Sequence, residues 1–506
     1  MSPSDHNASP PLKTSRYATA WSYAVVWLAV VSAYGAVWTR GVQGDDLCMC
    51  ELATAHGYWD AVRAWLDNWN GRLFLALTQI GTYHLPWFSD PLDAPWYLIH
   101  AMAVLAHMAA CGLLLGLLSR AGIAAGASLA AILIYAIHPI GFEPVLWLAE
   151  SYGYVLGNLL SLLAVWSYLE YERSSRIGWL LVALLLALTA ALGIEQYLVV
   201  LCALSIVYWS RSHWRRPAHP AWLPLLIMTC CSMVFLALHF GGFSGTADRL
   251  ARATAETAVV AGPTIVWKMA WWMSLLPDAS PYGGLLHWGW NTIRGHAGLT
   301  ALVGLATILA AWRVLATSSW QDKDVMSSPH RHLWLVAIGM AVVLASVSPF
   351  LVTGRYGFAS RNMFVALPGI VTMVATALDL MASRAARRRM LRFAITPVVA
   401  AFMATSLVID SGAQALFARS WRFHRNVIET IKADAESVRA AGALLMTGIP
   451  ARPYKAIAQI DSDWAFPCLV RWVVGASEVR AWNNLMSSKA GQHVPPDSHH
   501  IVFRED

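Results

Sequence analysis

Two adjacent acidic residues stand just beyond the first apolar segment of the chain, in the sequence Gly44-Asp45-Asp46. A carboxylate can accept the proton of a hydroxyl that attacks a substrate, provided that it lies within hydrogen-bond reach of that hydroxyl. The apolar segment that precedes the pair, residues 19–38, would deliver these acids to a membrane surface. We therefore expect Asp45 or Asp46 to act as a general base on a substrate that enters from the lipid, with Asp45 preferred.

Acidic and imidazole side chains occupy two further turns that we predict on the same side of the membrane. His138 and Glu143 could orient the base or bind the substrate, or they could simply belong to a helix-initiating turn, where the helix dipole favours Glu143. Glu150 follows Glu143 by seven residues, which on a helix returns to nearly the same face. Glu195 lies in a turn so short that its carboxylate must reach the membrane edge, either in a functional cavity or solvated at the interface.

Three arginines add positive charge to this face. Arg72 ends a Trp-rich segment, and Arg355 and Arg361 share one tight loop. A guanidinium group matches a phosphate through two parallel hydrogen bonds. Each arginine is therefore a candidate phosphate ligand, and the alternative for each is an anchor to lipid headgroups.

The composition places these residues in a membrane protein. The chain has 506 residues, of which 57% are hydrophobic and 13% charged, and its mean hydropathy is +0.50. Its apolar residues form runs of about 20, the length that crosses a bilayer as a helix. We predict an all-α polytopic protein with about eleven transmembrane helices, at residues 19–38, 96–118, 123–138, 152–170, 177–193, 196–209, 221–240, 298–316, 332–351, 363–382 and 391–409.

Basic residues orient this set of helices. Arginine and lysine concentrate in alternate connections, which the positive-inside rule assigns to the cytoplasm. These clusters also account for much of the formal charge of +7, so membrane lipids and no nucleic acid are the expected partners of the charge. The first helix is longer than the apolar core of a secretory signal, and we interpret it as a signal anchor.

The same pattern divides the chain into three parts. Residues 1–18 form a cytoplasmic, disordered N-terminus, and residues 19–410 form the transmembrane domain, with exoplasmic loops at 39–95 and 241–297. Residues 411–506 form a small exoplasmic α+β appendage with a helix at 420–441 and strands at 443–446 and 500–503. In the first loop, apolar residues from Trp59 to Trp69 recur at helical spacing, which predicts an interfacial helix. The tryptophans between Val266 and Leu276 are typical of an interfacial belt or of a platform for a sugar ring.

Three cysteines fall on the predicted exoplasmic side, namely Cys48, Cys50 and Cys468. Cys48 or Cys50 could form a disulfide with Cys468, as an oxidising compartment permits. Alternatively, the Cys48-Met49-Cys50 motif could bind zinc with His56, although the chain lacks a second paired motif.

The order of these features resembles the GT-C fold glycosyltransferases. An N-terminal spanning helix, the acidic pair, the Trp-rich segment that ends at Gly71-Arg72, the turn from His138 to Trp147 and Gly-Ile-Glu195 follow one another over residues 19–380. The likeness is nearest to enzymes that take a sugar from a polyprenyl-phosphate carrier, including O-mannosyltransferase-like and bacterial glucosyltransferase-like members. The chain departs from the family in having Gly193-Ile194 before Glu195 and in lacking a fuller pattern at 355–361.

The resemblance implies a hexosyl transfer in the cell inner membrane, with the active site on the periplasmic side. The partners would be a polyprenyl-phosphate sugar donor and a lipid, glycan or protein acceptor. Asp45 or Asp46 would be the base, and Arg72, His138, Glu143, Glu195, Arg355 and Arg361 would bind the donor phosphate or sugar. A monophosphate leaving group does not demand a divalent ion, so we expect no metal and no cofactor.

Two other classes of protein remain as alternatives. A transporter or lipid flippase for a glycolipid or polysaccharide precursor would place polar residues in the middle of its spanning helices. A non-catalytic scaffold would have no use for several acids and arginines on one face. The clustering of the acids at one interface favours the enzyme.

Overall fold

The structure is a computed structural model of the full chain. It describes residues 14–69, 72–213, 255–275, 282–295, 299–320, 329–353, 360–383, 388–449, 464–484 and 494–504. The predicted helix at 221–240 lies outside these residues, as do residues 1–13 of the predicted disordered N-terminus. Residues 14–18 are helical, contrary to the predicted disorder.

Eleven α-helices are described in the first part of the chain: α1 (Thr14–Tyr34), α2 (Asp45–Ala55), α3 (Tyr58–Trp69), α4 (Leu73–Tyr83), α5 (Trp96–Arg120), α6 (Ala125–Ile137), α7 (Phe142–Leu146), α8 (Leu148–Glu150), α9 (Leu156–Ser174), α10 (Ile177–Gly193) and α11 (Glu195–His213). A π-helical turn, Ser151–Val155, joins α8 to α9. Short 3-10 turns occur at Val37–Thr39, Pro86–Phe88 and Pro139–Gly141.

Helices also dominate the second part of the chain. They are α12 (Ala255–Met273), α13 (Gly283–Gly295), α14 (Leu299–Thr317), α15 (Pro329–Thr353), α16 (Ser360–Ser383), α17 (Arg388–Ala433), α18 (Ala435–Ala441) and α19 (Ala465–Val474). Three strands accompany the last helices, namely β1 (Ala443–Thr447), β2 (Arg480–Asn483) and β3 (His499–Val502).

The predicted class, a helical membrane protein with a small α+β appendage, is confirmed. Six helices of the described chain are long and apolar enough to cross a membrane: Thr19–Thr39, Trp96–Arg120, Leu148–Ser174, His330–Phe350, Ser360–Ser383 and Met390–Ala433. A seventh span results if Ala125–Ile137 and Pro139–Leu146, which meet at an angle of 42°, are counted as one broken helix. The predicted total of eleven is not confirmed, because apolar helices such as Ile177–Gly193 and Ala301–Thr317 are shorter.

The helix α17 connects the apolar bundle to the C-terminal segment. It has 46 residues and therefore extends about 70 Å, more than twice the hydrocarbon thickness of a bilayer. The predicted domain boundary at 410 and 411 falls within this unbroken helix, and so does the predicted start of a separate helix at residue 420. One rigid element thus carries the chain from the bundle into its final segment.

The C-terminal segment is built on a small parallel sheet. The strand order is β2-β1-β3, and Ala443 of β1 pairs with Arg480 while Leu444 pairs with His499. Parallel strands need a crossover connection, and α19 lies in the connection between β1 and β2. The predicted strands at the positions of β1 and β3 are confirmed, whereas β2 was not predicted.

The first loop and the C-terminal segment share a single hydrophobic core, and we call the two together the cap. This core includes Leu47 of α2, Trp65 of α3, Ile80 of α4, Ile428 of α17 and Leu469 of α19. The predicted helix in the first loop is confirmed as α3. Of its regularly spaced apolar residues, Val62 and Trp65 are buried, whereas Trp59 is 71% exposed. The loop helices are therefore fixed on a folded partner.

Candidate active site

The acidic pair occupies the first turn of α2. Gly44 precedes the helix with a φ of +54°, a conformation that glycine adopts without the steric cost of a Cβ. This turn redirects the chain from the buried segment 40–43 into α2. Asp45 and Asp46 are the first two residues of the helix, where the unpaired N–H groups and the helix dipole favour negative charge.

Asp46 is buried within the cap and bonded to its residues. Its side chain is 0% exposed, and its Oδ2 accepts a hydrogen bond from the backbone N–H of Gln43 at 3.0 Å. Its Oδ1 accepts another from the hydroxyl of Tyr83, in α4, at 3.1 Å. Burial raises the pKa of Asp46 well above its usual value, and the two hydrogen bonds oppose that shift. These contacts tie the start of α2 to α4.

Asp45 has different surroundings. It is only partly buried, and burial raises its pKa to about 6, while the positive charges of Arg361 and Arg72 act in the opposite direction. A carboxylate with a pKa near the working pH is ionised often enough to accept a proton and basic enough to keep it. The carboxylate of Asp45 is therefore partly accessible, has a raised pKa and lies within the influence of two guanidinium groups.

Arg361 links the start of α16 to the turn that contains Glu150. It stands in the first turn of α16, and its Nη1 lies 2.6 Å from the Oε1 of Glu150. Its guanidinium carbon also lies 5.8 Å from the centre of the Trp147 ring. The ion pair and the ring hold the guanidinium beside the turn that contains both glutamates.

Glu143 and Glu150 approach consecutive residues of α16. The hydroxyl of Ser360 donates a hydrogen bond to Glu143, just as Arg361 pairs with Glu150. The two glutamates do not lie on one continuous helix, since α7 ends at Leu146 and α8 begins at Leu148. Both side chains nevertheless face the start of α16.

Trp147, at the break between α7 and α8, connects this turn to the acidic pair. Its Nε1–H donates a hydrogen bond to the carbonyl of Gln43 at 3.1 Å. Gln79 of α4 adds a second link, because its Nε2 donates to the carbonyl of Ala149 at 2.7 Å. The segment before α2, the turn around Trp147 and α4 are thus joined by directed hydrogen bonds.

A buried polar network that was not predicted lies behind Arg361. The Nδ2 of Asn362 donates to the hydroxyl of Tyr154 at 3.1 Å and lies 3.4 Å from the Oε1 of Gln196. Gln196 in turn donates to the carbonyl of Ser346 at 2.7 Å. Most of these residues adjoin a predicted site residue or turn, and polar side chains in apolar helices were the available signal.

His138 does not join the cluster. It is 1% exposed, and its Nδ1 accepts the backbone N–H of Ile140 at 3.1 Å, which caps the turn that begins at Pro139. The hydroxyl of Tyr34 donates to its carbonyl at 3.2 Å. Of the two roles open to His138, the structure fits the helix-initiating turn, because Pro139 breaks α6 and His138 caps the break.

Of the remaining predicted residues, only Arg72 has a described side chain. Arg72 directly precedes α4, and its charge acts on Asp45 and on Glu150. Glu195 begins α11, but its side chain lies outside the described part of the chain, and the whole of Arg355 lies outside it as well. The described cluster therefore comprises Asp45, Arg72, Glu143, Glu150 and Arg361.

The cysteine alternatives are resolved in favour of the disulfide. Cys48 is bonded to Cys468, whereas Cys50 is a buried thiol. Within the described residues, no group of three or more His, Cys, Asp or Glu is arranged to hold a metal ion. The zinc alternative at Cys48 is therefore wrong, because the sulfur is already bonded.

Comparisons with known proteins give a remote likeness among solved structures. No family model matches the chain, and no curated protein matches it. Among solved structures, the chain is similar to the crystal structure of ArnT from Cupriavidus metallidurans bound to undecaprenyl phosphate. The identity is 12%, the match covers 91% of this chain and 85% of that chain, and the TM-score is 0.38.

Proposed function

We propose that this protein is a GT-C type membrane glycosyltransferase that moves a sugar from a polyprenyl-phosphate donor to an acceptor on the periplasmic side of the inner membrane. The proposal rests on the surroundings of Asp45. This carboxylate is partly buried, burial raises its pKa to about 6, and the positive charges of Arg361 and Arg72 act on it in the opposite direction. A base beside two cations is what the transfer of a sugar from a phosphate requires.

In the proposed reaction, the acceptor hydroxyl attacks the anomeric carbon of the sugar. A carbon–oxygen bond forms to the acceptor as the bond from the anomeric carbon to the donor phosphate oxygen breaks, and the phosphate leaves with the bonding electrons. The hydroxyl proton passes to a carboxylate oxygen of Asp45. Asp46 is unsuited to this role because its oxygens already accept hydrogen bonds from Gln43 and Tyr83.

Arg361 and Arg72 would stabilise the departing phosphate. Negative charge grows on the phosphate oxygen as the sugar leaves, so a fixed guanidinium stabilises the transition state more than the bound donor. The Glu150 partner holds one nitrogen of Arg361 in place, and its neighbour Trp147 limits the motion of the group. Arg355 and Glu195 remain part of the proposal as further donor ligands, and the proposed transfer needs no metal ion.

Two features support a periplasmic location for the cap. The arginine-rich connections favour a cytoplasmic location for the opposite end of the bundle. The disulfide between Cys48 and Cys468 is typical of an oxidising compartment.

The proposal is tested by transfer assays on the purified protein in lipid. We expect wild type to release polyprenyl phosphate from a radiolabelled polyprenyl-phosphate hexose when a membrane extract supplies the acceptor. Asp45→Asn should lower turnover by about 10³-fold, within the range that a general base contributes. Arg361→Gln should lower turnover as well, because the leaving phosphate loses a cation.

A matched control separates chemistry from folding. Lys432→Ala removes the exposed ion partner of Asp90, which is not among the site residues, and should leave turnover unchanged. All variants should elute as wild type does on size exclusion. If folded Asp45→Asn protein kept wild-type turnover, Asp45 would not be the base, and a protein that moved the intact glycolipid across vesicles without cleavage would be a transporter.

A further inference from the structure

The helix that carries Asp45 is attached laterally to the C-terminal segment. Cys48 of α2 forms a disulfide with Cys468 of α19. One turn further along α2, Glu51 receives a two-pronged ion pair from Arg471, with Nε at 2.8 Å from Oε1 and Nη2 at 3.2 Å from Oε2. The partners are 420 residues apart in sequence, so these links are tertiary contacts between distant parts of the chain.

The spacing of the two links matches on both helices. Cys48 and Glu51 are three residues apart, and so are Cys468 and Arg471, so each pair lies on one helix face. Two links between two faces fix the rotation of α2 as well as its position along α19. A single link to α19 would constrain that rotation less than two links do.

The helix α19 is itself firmly seated. The helix buries three residues fully in the core of the cap, namely Phe466, Leu469 and Val470. The long helix α17, which runs from the bundle, contributes to the same core. The disulfide and the ion pair therefore connect α2 to a fixed frame. The helix α2 itself has only eleven residues, and it also packs into the core of the cap through Leu47, Met49 and Ala53.

We propose that the C-terminal segment is a positioning element for the base, and that Cys468 and Arg471 set the orientation of Asp45 through Cys48 and Glu51. This inference rests on the proposed function, because it assigns Asp45 the role of base. Cys48, Glu51, Cys468 and Arg471 touch no reacting atom and act through the helix that they hold.

Small displacements of α2 would lower the rate, because Asp45 faces charged residues that come from other elements. Arg361 comes from the start of α16, Arg72 from the residue before α4, and Glu150 from the end of α8, while Asp46 is its neighbour in the chain. A misplacement of about 1 Å at a reacting group can lower a rate about 100-fold. A rotation of α2 would move Asp45 relative to Arg361, Arg72 and Glu150 together.

The first experiment breaks the disulfide in the full-length protein. Cys48→Ala/Cys468→Ala, and wild type treated with a membrane-permeant phosphine reductant, should both show kcat reduced about 10- to 100-fold with KM within about twofold. Reoxidation of the reduced wild type should restore kcat. Arg471→Gln should act in the same direction, and Arg471→Lys, which keeps the charge but not the two-pronged geometry, should fall between it and wild type.

A pH profile distinguishes positioning from simple loss of folded protein. Burial is the largest cause of the raised pKa of Asp45, so a loosened α2 should admit water and move the acidic limb of kcat/KM to lower pH. A variant that merely contains less folded enzyme would lower activity at every pH without shifting the limb. Cys50→Ala, on the same helix but unbonded, should leave both the limb and kcat as in wild type.

Hydrogen exchange gives a measurement that needs no turnover. We expect the amides of Asp45 to Ala55 to exchange faster when the disulfide is reduced, while the amides of α16 keep their protection. Equal protection of α2 in both states, or an unchanged kcat and pH limb after reduction, would overturn the positioning role. If wild type transferred no sugar at all, the proposed function would fail, whereas the exchange data would still report whether α2 depends on α19.

Discussion

Arg361 and Glu150 form an ion pair of 2.6 Å that joins the first turn of α16 to the turn between α8 and the π-helical segment. Glu150 is 9% exposed, so its charge depends on this partner. Ser360 and Glu143 add a parallel contact one residue earlier on α16. The two glutamates therefore fix the orientation of α16 at the point where the chain enters the site.

The first prediction concerns the stability of this pair. Arg361→Ala leaves the carboxylate of Glu150 buried without its ion partner, whereas Arg361→Ala/Glu150→Ala removes both charges. We expect the single variant to lose about 2 kcal/mol more stability than the double variant, because an unpaired buried charge is costly. Thermal unfolding in the same detergent measures the difference, and a double variant less stable than the single one would contradict it.

A second prediction separates the two aspartates. Asp46→Asn replaces an acceptor that serves the N–H of Gln43 and the hydroxyl of Tyr83, and the amide can accept through only one oxygen. We expect a loss of about 1–3 kcal/mol in stability with near-normal turnover for each folded molecule. Asp45→Asn is the matched comparison, and we expect it to keep the stability and lose the turnover.

The difference between the aspartates shows where prediction from sequence stopped. Their position just past α1, and the helix that they begin, follow from local patterns of apolar residues and from the glycine before them. The structure buries Asp46 against Tyr83 and leaves Asp45 partly exposed, and the tertiary contact with Tyr83 leaves no periodic signal in the sequence. The sequence alone nevertheless favours Asp45, and its role as base stays a prediction.

The turn around Glu143 shows the same limit in a different form. The acids and the arginines were predicted on one face from the loops alone, and the structure brings Glu143, Glu150 and Arg361 together. The break at Trp147 and the π-helical turn could not be predicted, because they depend on packing against α2 and α4 rather than on helix propensity. His138 was included in the candidate site because it stands in the same predicted turn as Glu143. In the structure its ring caps that turn.

A third prediction concerns the far end of α16. The Oδ2 of Asp379 lies 3.0 Å from the Nη2 of Arg331 and 2.9 Å from the Nε2 of His332, and its Oδ1 accepts the backbone N–H of Ala124 at 3.0 Å. Asp379→Ala should therefore cost about 3 kcal/mol of stability, since the half-buried guanidinium of Arg331 loses its carboxylate partner and the N–H of Ala124 loses its acceptor. Eighteen residues of helix, or about 27 Å, separate it from Arg361, so turnover for each folded molecule should not change.

Melting temperatures and active-site-normalised rates provide the two measurements for Asp379→Ala. Arg425, whose exposed pair with Glu429 lies on α17, offers a comparison, because surface ion pairs contribute little to stability. Arg425→Ala should change the melting temperature far less than Asp379→Ala. A specific loss of kcat in Asp379→Ala would show that the network reaches the site through α16.

The last prediction follows from the ionisation of Asp45. Burial raises its pKa to about 6, against the opposing charges of Arg361 and Arg72, so the side chain is protonated below about pH 6 and ionised above it. A base must be ionised, and kcat/KM should therefore fall about tenfold for each pH unit below 6 and reach a plateau above it. Arg72→Gln removes one cation that lowers this pKa, so it should move the limb to higher pH. A limb near pH 4 in wild type, where an unperturbed aspartate titrates, would show that Asp45 is either solvated or not the base.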